Sequence, residues 1–300
     1  SLTLYPTFKA IAEDIYKGKA EAMDFGNMGE QVIFEVHKWV QKATNGLINS
    51  ILPSSLDPHT VILLANSLYF KGNWYNPFDR SYTKDAKFYL LDGDTVEVPF
   101  LNCAGGHFAT TFDDFKILKL YYEWSYENKD TCISMYIILP NKRDGLWALG
   151  EMVGSDPLFM ENYLSSCSKL YAGVKKLMLP KFKITTQFEA SNVLQDIGLK
   201  LPFSKEAEFD EMVRKSDPSD LLYVSKVRHK SVIEVVEEGT EAAGVTEVEM
   251  DEYLCDGSDD EPPVPTVEFV ADHPFMFVVK NDDNGVILFM GHVVNPILDH

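Results

Sequence analysis

Between residues 30 and 40 the apolar positions Val32, Ile33, Val36, Trp39 and Val40 recur at the spacing of one helical face, so an amphipathic helix is predicted there. Thr44-Asn45-Gly46 follows and supplies a glycine to close it. Residues 61–70, Val-Ile-Leu-Leu-Ala-Asn-Ser-Leu-Tyr-Phe, are too continuously apolar for a half-exposed strand and read as a central strand buried on both faces. Further strands are predicted at 87–91, 97–101, 115–122, 132–139, 176–183, 221–236 and 267–279, separated by turn signals such as Asp92-Gly93-Asp94. Two more helices are predicted at 145–153 and 191–197, the second closed by Gly198. Strands outnumber helices, and neither an internal repeat nor a clean linker divides the chain. A single mixed α+β domain over 1–300 is therefore expected. The stretch 256–265, acidic and proline-rich, cannot pair in a ladder and reads as an exposed loop.

Composition narrows the function classes. With 45% hydrophobic and 24% charged residues the chain can bury a large core, which excludes disordered, collagen-like and coiled-coil classes. The longest apolar runs, 61–65 and 135–139, fall far short of the ~18 residues that cross a bilayer, so no transmembrane segment is expected. A net charge of −19 repels phosphate backbones and anionic membranes, and nucleic acid is not an expected partner. The cysteines Cys103, Cys132, Cys167 and Cys255 are widely separated, without a CxxC pair or a histidine at ligand spacing. The nucleophile elbow, the phosphate loop, the dinucleotide fingerprint and H-E-x-x-H are all missing. No catalytic residue, metal or cofactor is expected, and the chain does not read as an enzyme. His229, between Arg228 and Lys230 at the start of an alternating segment, is the one histidine singled out, because a partly buried imidazole there needs a hydrogen-bond partner.

The most informative stretch is 237–251. Read with period two, Thr240, Ala242, Gly244, Thr246, Val248 and Met250 fall on one side and none is charged, while the other side carries Glu241, Glu247, Glu249 and Asp251. One face suits burial in a ladder, yet Gly and Ala make a poor independent strand, and Gly239, Gly244 and the β-branched residues oppose a long helix. By periodicity alone the segment reads equally as a surface hairpin with a solvated acidic face. Between Glu237 and Glu261 lie eleven acids and no Lys or Arg, so this segment holds −11 of the −19.

Glu237-Glu238-Gly239-Thr240-Glu241-Ala242-Ala243 closely resembles the hinge at the base of the reactive loop in the serpin family. Asn66-Ser67-Leu68-Tyr69-Phe70-Lys71-Gly72-Asn73-Trp74 with Pro77-Phe78, Leu179-Pro180-Lys181-Phe182-Lys183, Val227-Arg228-His229-Lys230, His273-Pro274-Phe275-Met276-Phe277 and Leu288-Phe289-Met290-Gly291-His292-Val293-Val294-Asn295-Pro296 resemble further serpin motifs in the family's order. The resemblance spans nearly the whole chain. It begins at a mid-chain helix of the family and the strand ending at Asp24-Phe25-Gly26, so the family's amino-terminal helices are expected to be absent from this chain.

What the resemblance implies is a metastable fold of three sheets with surrounding helices and an exposed reactive-centre loop, here over 239–268. The implied activity is suicide inhibition of a serine protease. The protease attacks the loop, forms an acyl-enzyme, and is carried away as the cut loop enters the large sheet as an extra strand. The family's usual spacing from the hinge glycine places Tyr253 before the cleaved bond and Leu254 after it, with Leu254 as the second candidate for the cleavage position. Either suits a chymotrypsin-like enzyme. The hinge would comprise Glu237, Glu238, Gly239, Thr240, Glu241, Ala242, Ala243 and Gly244. Asn66 and His229 would form the polar pair where the large sheet opens, Trp74 the aromatic near the insertion site, and Lys181 would pair with Glu237. A monomer is expected, displayed outside the cell or at a surface, with the cytoplasm as the alternative. A non-inhibitory serpin (a carrier, storage or chaperone-like binding protein) is the alternative function.

Overall fold

The computed structural model describes residues 3–103, 107–123, 132–165, 172–214, 221–240 and 266–298. They fall into two compact units, Ser1–Tyr69 with Thr185–Val232, and Phe70–Ile184 with Ile233–His300. The chain crosses between the units three times, so neither is a contiguous stretch. Three sheets form among the described residues, of two, five and nine strands, alongside short and medium helices. No helix among them is long and apolar enough to cross a membrane.

In the first unit the predicted amphipathic helix is Gly29–Ala43. Its apolar stripe, Ile33, Val36, Trp39 and Val40, packs on Ile48, Ile51, Leu52 and Val232, and on Leu63 and Ala65 of the strand Ile62–Tyr69. The stop is local. Asn45 and Gly46 both take positive φ, 51° and 87°, and the Thr44 hydroxyl donates to the Val40 carbonyl at 2.7 Å. The strand Ile62–Tyr69 runs parallel to residues 224–232 of the strand Val224–Val235, with His229 opposite Asn66. Its burial departs from expectation. Leu63 and Ala65 are half-buried against the helix, while Leu64 and Leu68 on the other face are 48% and 36% exposed. An apolar run records what a strand can bury; what packs on each face decides what it does bury. The strand expected to end at Asp24-Phe25-Gly26 forms no ladder. Asp24 instead accepts the Asn27 N–H on Oδ1 at 2.9 Å and the Met28 N–H on its carbonyl at 3.0 Å, making a turn before the helix.

In the second unit the nine-stranded sheet carries, in spatial order, Ile287–Val293, Phe275–Asn281, Ile133–Pro140, Phe115–Tyr121, Phe108–Thr111, Ala172–Pro180, Thr95–Cys103 and Lys84–Tyr89, with Thr266–Val270 joined in parallel to Ala172–Pro180. Here lies the strand buried on both faces. Phe275, Phe277 and Val279 enter one core with Phe100, Leu118, Ile137 and Leu179, while Met276 and Val278 enter a second with Phe115, Phe159 and the helix Leu146–Ser155. Two predicted strands are each split. Residues 176–183 divide into Ala172–Pro180 and Phe182–Glu189, and residues 267–279 into Thr266–Val270 and Phe275–Asn281. A proline, which has no N–H to give a ladder, stands beside each break: Pro180 is the last residue of its strand and Pro274 directly precedes Phe275–Asn281.

Candidate functional site

The motif residues lie in two clusters, one in each unit. In the first unit the Asn66 Oδ1 and His229 Nδ1 atoms meet at 2.9 Å, and the Phe188 ring lies 5.3 Å from the imidazole. Partial burial pushes the His229 pKa down, so the ring is neutral near pH 7 and its Nδ1–H donates to Asn66.

The second cluster is the hinge. Val236 and Gly239 exchange both backbone hydrogen bonds, at 2.9 and 3.3 Å, with Val235 opposite Thr240, so Glu237 and Glu238 are the two central residues of a tight hairpin turn. Gly239 and Thr240 then pair on their other side with Asn73 and Gly72. This close approach requires glycine. A Cβ on Gly239 would overlap the Gly72 carbonyl oxygen and lie 2.7 Å from the Asn73 Cα, and one on Gly72 would lie 2.8 Å from the Tyr122 ring.

The carbonyls and carboxylates of the turn draw partners from several elements. The Glu238 carbonyl accepts from Trp74 N at 2.8 Å, the Glu237 carbonyl from Phe78 N at 2.9 Å, and the Val236 carbonyl from the Trp74 indole N–H at 3.0 Å. Lys181 Nζ donates to Glu237 Oε2 at 2.8 Å and the Thr83 hydroxyl to Oε1 at 2.8 Å. Burial works against ionisation of Glu237, but these hydrogen bonds outweigh it and hold the carboxyl below its ordinary range. Arg80 pairs with Glu238 Oε1, while Glu238 Oε2 is buried with no hydrogen-bond partner.

Thr240 is fully buried, and its hydroxyl meets the Tyr122 phenol at 2.6 Å. Tyr122 stacks on Trp74 with ring centroids 4.5 Å apart and meets the edge of Phe70 at 4.7 Å. Burial raises the pKa of this phenol, so it stays neutral and able to donate. The cluster can thus do one thing chemically: hold a short, uncharged strand start against a ladder by ties that are strong but breakable.

Trp74, Lys181, Glu237, Glu238, Gly239 and Thr240 come together at this hinge, whereas Asn66 and His229 form the separate pair described above. Glu241, Ala242, Ala243, Gly244, Tyr253 and Leu254 lie outside the described residues. Sequence reading missed Arg80, Thr83 and Tyr122. Arg80 sits two residues past the Pro77-Phe78 motif and Tyr122 ends a predicted strand, but no local pattern marks either as a hinge partner.

The fold and this hinge define a mixed α/β protein of three sheets with a clamped turn at the root of a long acidic segment. Residues 1–296 match the family described as Serpin (serine protease inhibitor). The chain is 46% identical over 299 residues to Serpin-ZX of Hordeum vulgare and 44% identical over 299 residues to Serpin-ZXA of Oryza sativa subsp. japonica, covering in each case 99% of this chain and 72% of the relative. Among solved structures it is similar to the native stressed conformation of Arabidopsis AtSerpin1, with a TM-score of 0.81 and 38% identity over 99% of this chain and 73% of that one. Serpin48 of the insect Tenebrio molitor matches with a TM-score of 0.78 and 27% identity, over 98% of this chain and 72% of that one. The chain belongs to the serpin family. Members of that family are generally protease inhibitors rather than enzymes.

Proposed function

We propose that this serpin is an inhibitory member acting as a suicide substrate of chymotrypsin-like serine proteases. The observation that carries this reading is the state of the hinge. Gly239–Thr240 is already paired as a short strand between Val235 and Gly72–Asn73, and its inward side chain, Thr240, is buried and uncharged. A loop that starts this way can continue into a ladder with Ala242 and Gly244 inward, gaining backbone hydrogen bonds without burying a charge.

In this reading the protease serine attacks the Tyr253 carbonyl, the bond to Leu254 breaks, and the acyl-enzyme ester is trapped as the cut loop inserts. Cleavage after Leu254 is the second candidate position, with the same target class. Asn66, His229, Trp74 and Lys181 hold the sheet closed until then. The acidic flank, Asp251, Glu252, Asp256, Asp259, Asp260 and Glu261, favours a protease with a basic rim. The partner is one protease in a covalent complex with a monomeric inhibitor, and display is extracellular or at a surface, with the cytoplasm as the alternative.

The test is incubation with chymotrypsin, trypsin and elastase, followed by denaturing gels and mass determination of the released peptide. A complex resistant to SDS with chymotrypsin, and a peptide beginning at Leu254, are expected. Cleavage without any such complex, together with an unchanged melting temperature after cleavage, would favour the carrier, storage or chaperone-like alternative.

A further inference from the structure

The hinge turn is closed by the two backbone hydrogen bonds between Val236 and Gly239, but not in the conformation that such turns favour. Two-residue hairpins favour turns in which at least the first central residue has positive φ. Glu237 and Glu238 have none, since Lys17 and Asn45 are the only non-glycine residues with positive φ among those described. Ties from outside the turn reinforce it: Trp74 N and Phe78 N on its two carbonyls, Lys181 on one carboxylate and Arg80 on the other.

The two ion pairs differ in exposure. The side chains of Lys181 and Glu237 are 31% and 6% exposed, whereas those of Arg80 and Glu238 are 68% and 25% exposed. Dissolved salt therefore reaches the Arg80 pair far more than the Lys181 pair. The closed turn also leaves Glu238 Oε2 buried and unpartnered, so opening hydrates an atom that closure leaves unsatisfied. Glu238 therefore has one carboxylate oxygen paired with Arg80 and the other left unsatisfied by closure.

We propose that Arg80 and Glu238 form a salt-responsive latch that sets how readily the turn at residues 236–240 opens. Arg80 is a positioning residue acting through Glu238. On the loop-insertion reading above, on which this second step rests, the latch also sets how fast the cut loop enters the sheet. Ionic strength then acts on loop insertion at the hinge, in addition to screening the acidic flank from the protease.

Hydrogen exchange of the full chain tests the latch without a protease. The Val236 and Gly239 amides, both hydrogen-bonded across the turn, are expected to exchange about threefold faster in 500 mM than in 20 mM NaCl, the size of effect an exposed ion pair supports. Arg80→Ala and Glu238→Gln should each be fast already at low salt and insensitive to added salt. Arg80→Lys should keep the wild-type response, and the double variant Arg80→Ala/Glu238→Gln should be no faster than either single one. Equal exchange in wild type and Arg80→Ala at low salt, or a salt response that survives in Arg80→Ala, overturns the latch. The rate of SDS-resistant complex formation, measured in parallel, separates the two readings. Salt-dependent exchange with no complex at any salt sustains the latch and sinks loop insertion; a complex forming at one rate in wild type and Arg80→Ala sustains insertion and sinks the latch's control of it.

Discussion

In the first unit, Asn66 and His229 touch once, at 2.9 Å, on a strand face open to water. In the second, Glu237 is nearly out of water and holds Lys181 and Thr83 at 2.8 Å each, while Thr240 behind it is fully buried against Tyr122. Both are polar ties between strands, and the sequence motifs mark both. Their strengths differ because of their surroundings. A neutral hydrogen bond that water can replace contributes about 1 kcal/mol, whereas a shielded, charge-assisted pair becomes costly once one partner is removed. The contrast teaches where the molecule resists opening: at the hinge, through groups that have nowhere else to go.

The sharpest way to break that contrast is a charge in the buried ladder. Thr240→Glu strands a carboxylate against Tyr122, with an expected loss of about 3–5 kcal/mol in chemical denaturation and no SDS-resistant complex. An unchanged unfolding midpoint would show that Thr240 is not shielded as described. Lys181→Ala comes next. It leaves Glu237 without its cation, and because Lys181 is itself 31% exposed the expected loss is about 2–3 kcal/mol. The same carboxylate gives a pH signature. Its pKa is depressed in the folded protein, so its share of stability is complete above the ordinary carboxylate range and is lost as pH falls through the lower folded value. Thermal melts from pH 6 down to 3 should fall less steeply in Glu237→Gln than in wild type. The smallest effect is expected from Asn66→Ala, about 0.5–1 kcal/mol by the same denaturation. A loss there as large as that of Lys181→Ala would erase the difference between the two ties.

Local chemistry made much of this legible. The helix Gly29–Ala43 follows from five apolar residues at helical spacing and a glycine stop, and Gly198, at φ 108°, closes the helix Ser191–Asp196 just beyond its end. The hinge glycine and the uncharged Thr240 could be read as a motif with a stated physical requirement. Three things were not legible. Which faces of 61–70 are buried depends on neighbours, and the same kind of apolar run is half-exposed at Leu64 yet enclosed on both sides at 275–279. The breaks at Pro180 and Pro274 sit inside continuous strand signals. Thr83 and Tyr122 reach the hinge from 154 and 118 residues away, a distance over which no periodicity carries information.

The sequence by itself determined the class of the molecule: a mixed α+β serpin with a hinge whose inward positions are small and uncharged, leading into an acidic segment. These are properties of residue type and short spacing, set by propensity, period and the space a side chain occupies. Only the tertiary structure decided that Glu237 and Glu238, adjacent and chemically alike, have different partners and different exposure. One is shielded between Lys181 and Thr83, and the other faces an exposed Arg80 with one oxygen unsatisfied. The strength of a charge pair depends on how much water surrounds it, and that is set by packing between distant parts of the chain.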